Sequence, residues 1–458
     1  MAQLPLELFP AIFENILKPS QLATCCLVSK AASAFAIPLL YDRILIYAWH
    51  KGAKIRVVQV FNTLAKRPRL ARYVHSLELR DFPKGPEIGV YGAAVFLLAL
   101  DNCINLQRCI WTRDGSLNNE ILKSLSALQQ LQSLTINGHS ARFYDARCLL
   151  DIRGLRDICV IMPSAEVVRV LVEWAELNAN TLRGLEIICK TSPLIADEHL
   201  ALIASSCTTL ERLRLAGCSK VSHDGVSSFL SSNRVPMVEL ALEGLSPSFK
   251  WAGLSLKCSN HLTHMRSITL SIGGEAESDF AEWVESVATM LLDAPLEQLQ
   301  IYSTGPRSGD PTHNELWSRL ITPHVARLTR FSVHRMLLLP NTIEDICRKC
   351  SRLEQLFIAV PYATFDLLGP PLASAINLRT LHLNFPQTFG DPPLVPLDKA
   401  LALVRQCSST LTQLGCNTRV WQVVRDIRTD DQGNPYVERS LGRYEKPDIP
   451  EQFLVVHT

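Results

Sequence analysis

The chain has 458 residues, with 46 Lys plus Arg against 44 Asp plus Glu and a formal net charge of +2. So even a balance provides no overall field to gather nucleic acid or an acidic membrane, and neither is expected as a partner. Hydrophobic residues at 47% and charged residues at 20% place it among folded chains rather than disordered ones. Its 14 cysteines come with no Asn-x-Ser/Thr sequon and no basic, then apolar, leader pattern. Together these point to a reducing intracellular compartment, cytoplasm and/or nucleus, with free thiols. The longest nearly apolar run, Val90 to Leu100, is too short to span a bilayer.

The first predicted element is a helical module over residues 1–45. Leu8, Ile12, Phe13, Ile16 and Leu17 fall on one helical stripe. Lys18-Pro19-Ser20 breaks it, with Ser20 placed to cap a second helix carrying Leu22, Cys26 and Leu27. So small a module buries little surface, so its surplus of apolar residues suggests a partner helix surface. The plainer reading makes it an end cap for a repeat array. Its wording is more specific than its pattern: an opening Leu4-Pro5, spaced Ile and Leu residues, Leu27-Val28-Ser29-Lys30, and a closing Leu39-Leu40-Tyr41. This resembles an F-box, the short helical module that docks on a Skp-type adaptor. The resemblance implies adaptor contacts through Leu4, Pro5, Leu8, Ile12, Ile16, Leu17, Leu22, Leu27 and Val28.

Between Asp42 and Glu78 every charged residue is basic. We read this as the solvated face of a helix whose buried side is Ile55, Val58, Phe61 and Leu64, in preference to a phosphate-binding patch. From about residue 46 to 425 the chain repeats an apolar-x-x-apolar-x-apolar pattern about thirteen times. Its central position falls at Leu77, Cys109, Leu134, Ile158, Leu185, Leu213, Leu240, Ile268, Leu299, Phe331, Leu356, Leu381 and Leu414. The steps between these run from roughly 24 to roughly 33 residues. Residues two apart share one side of a strand, and one short strand cannot bury that side alone. Helical patterns lie between the strands, at Leu117–Leu128, Ser164–Leu177 with Ser164 as cap, and Asp279–Leu292. Glu275–Asp279 and Gly305–Pro311 read as loops, and Pro370-Pro371 and Pro392–Pro396 as interruptions. Residues 426–458 form a tail, whose Ile449–Val456 could fold back as an apolar cap.

The array resembles the cysteine-containing class of leucine-rich repeats, best seen in Cys207-Thr-Thr-Leu-Glu-Arg-Leu-Arg-Leu-Ala-Gly-Cys218 followed by Lys220–Gly225. The expected fold class is therefore α/β: a leucine-rich-repeat solenoid, parallel strands on the concave face and helices on the convex face, behind a small all-α F-box. Strand residues beside the inward aliphatics would form the concave wall. Candidates there for holding a protein substrate are Arg212, Arg214, Gln298, Gln300, Tyr302, Arg330, His334 and His382.

No nucleotide loop, nucleophile elbow or spaced carboxylate pair is present in the sequence. Cys347-Arg-Lys-Cys350 lacks the second pair that a zinc site needs and reads as core; Cys258, His261 and His264 form a second cluster of three possible ligands, read as ordinary loop histidines beside a cysteine rather than as a metal site. No catalytic residue, metal or other cofactor is expected. F-box followed by leucine-rich repeats resembles the substrate receptors of Skp–cullin–F-box (SCF) E3 ubiquitin ligases. That implies a Skp-type adaptor, a cullin reached through it, and a protein substrate on the repeats. The alternative is a leucine-rich-repeat protein-interaction scaffold uncoupled from ubiquitination.

Overall fold

The computed structural model describes residues 5–16, 19–47, 52–83, 85–273, 277–307, 313–386 and 393–443. They divide into two compact units, one running to Ile195 and including Leu202–Leu210, the other formed by Ala196–Ala201 and the chain from Glu211 onward.

The first unit opens with helices Phe9–Glu14, Pro19–Cys25 and Lys30–Asp42. Ser29, rather than the expected Ser20, acts as a cap, its side chain accepting from the Ala32 N–H at 3.1 Å. Ser20 lies inside a helix that already begins at Pro19, the ring being tolerated in a first turn whose N–H groups have no partner anyway. Strands follow at β1 (Arg43–Ile46), β2 (Ser76–Leu79), β3 (Arg108–Trp111), β4 (Ser133–Asn137), β5 (Asp157–Ile161) and β6 (Gly184–Ala196), each pairing in parallel with the next. β1 carries Ile44 in register with Leu77, so a strand of the array begins at Arg43, ahead of the expected start.

The second unit continues the pattern with β7 (Arg212–Lys220), β8 (Glu239–Glu243), β9 (Ser267–Ile272), β10 (Gln298–Arg307), β11 (Arg330–Leu337), β12 (Gln355–Ala359), β13 (Thr380–Asn384) and β14 (Gln413–Cys416), again parallel. β15 (Arg419–Thr429) and β16 (Pro435–Arg443) then turn back as an antiparallel pair. β15 runs across the 425/426 boundary where the tail was expected to begin. The apolar cap expected at Ile449–Val456 lies outside the described residues.

Register follows the sequence pattern position for position. In the first unit Leu77, Cys109, Leu134, Ile158 and Leu185 are neighbours across the sheet. In the second, Leu213, Leu240, Ile268, Leu299, Phe331, Leu356, Leu381 and Leu414 are. All are buried, each removal of such a side chain from water being worth about 1.5–3 kcal/mol. Helices cover the same side. Helix Ala165–Leu177 is capped by Ser164 as expected, and buries Val167, Val168, Leu171, Trp174 and Ala175. Helix Glu277–Leu291 takes in most of the segment expected as a loop at Glu275–Asp279. β10 likewise extends through Gly305-Pro306-Arg307, and Pro370-Pro371 sit in the short helix Gly369–Ala373. Helix Ala53–Lys66 corrects another expectation: its buried side is Ala53, Val57, Phe61 and Leu64, while Ile55 and Val58 are exposed. Spacings of four and three fix that face, and residues 55 and 58 point away from it.

A backbone motif recurs between successive repeats within each unit. The carbonyl of the residue just before a strand accepts from two consecutive N–H groups of the following repeat. His75 receives Gln107 and Arg108, and Gln107 receives Gln132 and Ser133. In the second unit Glu297 receives Thr329 and Arg330, and Thr329 receives Glu354 and Gln355. Buried Asn178 adds a side-chain tie, accepting from the Leu155 N–H at 2.9 Å and donating to the Ile152 and Trp174 carbonyls at 3.3 and 2.9 Å. Strand spacing leaves little room where His382 crosses Gly415. A Cβ added to Gly415 would stand 2.1 Å from His382 Nδ1. Gly415→Ala is therefore expected to lower the urea midpoint by an amount equal to about 1–3 kcal/mol. An unchanged midpoint would mean that the ring turns aside freely.

Candidate interaction surfaces

The helical module builds its own core before it offers a surface. Phe13, Leu22, Ala32 and Ala36 are buried, with Phe9, Ile16, Phe35 and Leu39 packed against them. Phe9 stacks on Phe13 and on Phe35, with ring centroids 5.7 and 5.6 Å apart. Leu22, expected on the adaptor face, is 5% exposed and belongs to this core, so it cannot meet a partner directly. Ile16 is half-buried. Leu8 and Ile12 are about half exposed, Leu27 and Val28 are 87% and 74% exposed, and Pro5 is exposed. Leu4 and Leu17 lie outside the described residues. The stacked Phe9–Phe13–Phe35 trio was missed as a unit in the sequence, since Phe35 stands a whole helix away from the stripe that it completes.

The strand face opposite the helices differs from the exposed wall expected. Gln300, His334 and His382 are buried, as are Ser332 and Phe357 beside them. Their neighbours close over them. The Arg330 guanidinium lies 4.8 Å from the Phe357 ring centroid, and the His382 ring stacks on Phe357 at 6.2 Å. His334 bonds Ser332 at 2.7 Å and packs 6.4 Å from Tyr302. His382 Nε2 donates to the Asn417 carbonyl at 2.9 Å. Parallel strands bring same-face side chains within reach of one another, so long residues lean across short ones. Gln300, His334 and His382 are thus supports of the face rather than its contact points. Arg212, Arg214, Gln298, Tyr302 and Arg330 remain half-buried, and Arg214 pairs with Glu243 at 3.2 Å. They form no single charge field.

The thiols do not gather into a chemical site. Burial pushes Cys347 and Cys350 up to about 12, keeping both protonated in the core. In the second candidate cluster Cys258 is buried while His261 and His264 are exposed. Among the described residues no group of three or more His, Cys, Asp or Glu is placed to hold a metal, and no helix is long and apolar enough to cross a membrane.

No protein-family model matches the chain. No curated protein matches it either. Among solved structures, the crystal structure of the Rad7 and Elc1 complex in yeast is similar, with a TM-score of 0.39 and 13% identity, covering 84% of this chain and 93% of that one. A likeness that distant says nothing of what this chain binds.

Burial holds both histidines neutral, pushing His334 down to about 3, with His382 and Arg330 adding to the effect, and His382 down to about 4 against the opposing bonds to Asn417 and Asn384. Unfolded histidines take up protons near pH 6.5 that these folded ones refuse. Stability is therefore complete above that pH and is lost as the pH falls toward 4, by about 2 kcal/mol per histidine at about pH 5. Urea midpoints at neutral pH and at about pH 5 should differ accordingly. His334→Gln with His382→Gln should reduce the difference without abolishing it, because His324 is also pushed down to about 4 by burial. A pH dependence unaltered in the double variant would place its origin elsewhere.

Proposed function

We propose that this protein is the substrate-recognition subunit of an SCF-type E3 ubiquitin ligase. The N-terminal helices act as an F-box that docks a Skp-type adaptor and, through it, a cullin, while the repeats hold a protein client inside the cell. No residue of the chain acts catalytically on this reading. It works by raising effective concentration, holding client lysines near a charged ubiquitin-conjugating enzyme.

The observation that carries the reading is the surplus of apolar surface on a module whose core is already complete. Phe9, Phe13, Leu22 and Phe35 satisfy the interior, yet Leu8, Ile12, Leu27 and Val28 stay out. An end cap would turn such residues toward the array that it closes. Burying each against an adaptor helix is worth about 1.5–3 kcal/mol. These are residues of the spaced-aliphatic and Leu-Val-Ser-Lys wording that resembles an F-box.

The test is a pull-down from cell extract against purified Skp-type adaptor. Leu27→Asp with Val28→Asp should weaken adaptor binding at least about 100-fold while leaving the thermal midpoint near that of the parent. Leu22→Ala should weaken it too, but by loosening the module, costing about 2–5 kcal/mol of its packing. Full adaptor retention by the double Asp variant would remove the basis of the reading.

A further inference from the structure

The turns that lead into the strands of the first unit carry charge of one sign. Residues 72–75, 103–107, 127–132, 152–156 and 178–183 precede β2 to β6 and contain no Asp or Glu. They contain Arg72, Arg153, Arg156 and Arg183, and Arg108 opens β3 directly after one of them. Backbone bonds set these turns side by side. Gln107 and Arg108 donate to the His75 carbonyl, Gln132 to that of Gln107, Arg156 to that of Gln132, and Arg183 to that of Arg156. Arg72, Arg108, Arg153 and Arg156 are exposed, and none forms an ion pair among the described residues. Arg67 and Arg69, also exposed, adjoin Arg72. Acidic residues flank the row at Asp42, which bonds His75 at 2.8 Å, and at Asp101, Asp151 and Asp157.

The second unit shows that such an imbalance is not something the fold requires. There the residue just before a strand pairs with its counterpart in the next repeat, Arg266 with Glu297 at 3.3 Å and Glu354 with Arg379 at 3.7 Å, and Glu211 pairs with Arg212 at 3.6 Å. The equivalent residues before β2 to β6 are His75, Gln107, Gln132, Arg156 and Arg183, with no carboxylate among them. Like charges on neighbouring turns repel, and a ligand that brings carboxylates relieves the repulsion. Tyr73 and Ile104 lie in the same turns, 39% and 49% exposed. Three strand spacings separate the turn before β2 from the turn before β5, about 14 Å, and alternate residues i, i+2 and i+4 of an extended chain span about 13 Å. The exposed Ile104 gives a peptide side chain an apolar contact, whereas one tyrosine is too little stacking surface for a strand of nucleic acid.

We propose that this edge of the first unit docks an extended acidic segment of a client protein. Carboxylates at alternate positions meet Arg72, Arg108 and Arg156, and an apolar side chain between them rests on Tyr73 and Ile104. The guanidinium fork matches a carboxylate with two parallel bonds, so arginine rather than lysine along the row suits this recognition. The proposal rests on the reading of the repeats as the holder of a client, and its test needs no adaptor, so that either can fail without the other.

The full-length protein is titrated by calorimetry with a peptide of alternating glutamate and leucine, its glutamine counterpart, oligothymidylate and phosphatidylserine vesicles. The glutamate peptide should saturate, at least about tenfold tighter than the glutamine peptide. Arg108→Glu with Arg156→Glu should weaken it at least about tenfold, with the thermal midpoint and the capture of Skp-type adaptor unchanged. Arg266→Glu with Arg379→Glu removes as much positive charge from the second unit and should leave binding within about twofold of the parent. Arg72→Glu with Arg153→Glu repeats the first test on other turns and guards against a folding defect in that pair. Glutamate-peptide binding by a protein that captures no adaptor would retain this surface and remove the ligase reading alone. No saturation, equal binding of the glutamine peptide, a control pair that weakens binding as much as the first pair, or tighter binding of oligothymidylate or vesicles would overturn the proposal.

Discussion

Each strand of this protein is too short to bury its own aliphatic side, and everything else in the structure answers to that constraint. A segment such as Ser76–Leu79 carries two inward residues, Leu77 and Leu79, and gains nothing from them until Cys109 and Trp111 lie alongside. Stacking is therefore a condition of folding rather than an ornament on folded repeats. The paired N–H groups received by single carbonyls, as at His75 and Glu297, fix how each repeat meets the next before any side chain contributes. Register slips are expensive for the same reason. A one-residue shift would turn the whole row from Leu213 to Leu414 away from the helices.

That constraint also decides which residues are available to a partner. The inward row and the helix faces are spent on the shared interior, leaving the opposite strand face, the loops at the strand ends and the N-terminal helices. The strand face of the second unit is partly spent as well. Phe357 lies under Arg330 and beside His382, a set of rings and a guanidinium that support one another. Loops at the strand ends are freer, since no ladder runs through them, and the turn after β8 can hold Gly244 at positive φ.

Much of the architecture was legible in the amino-acid sequence. Spacings of two within strands and of three and four within helices are consequences of backbone geometry, so Leu77 to Leu414 could be set in register without coordinates. Ser164 declared a helix start by chemistry alone. Local rules misled where tertiary contact outvotes them. Ile55 and Val58 are apolar but face solvent, because the helix orients on Phe61 and Leu64. Leu22 belongs to a motif that reads as surface, yet fills a core made by Phe13 and Ala36 from two other helices. Gln300, His334 and His382 alternate correctly to the open side of their strands, and alternation specifies side, not exposure. The contact of Trp251 with Trp283 was invisible for a related reason: the two rings come from successive repeats and meet only after stacking.

The cysteines show how an array of this kind separates packing from chemistry. Cys109 occupies a position that its neighbours fill with Leu or Ile, and its thiol is pushed up to about 12 by burial and by Cys103. Cys407 and Cys416 are raised as far, each at the edge of a repeat rather than at a surface. A thiol that stays protonated is a small apolar group with one weak donor, as when Cys207 Sγ reaches the Ala175 carbonyl at 3.4 Å. Substituting sulfur for an aliphatic carbon trims volume where helix and strand approach closely, and it costs little while the site stays dry. The same burial that makes the repeats cohere thus withdraws their reactive groups from solvent. What the described residues offer a partner includes shape and exposed aliphatics.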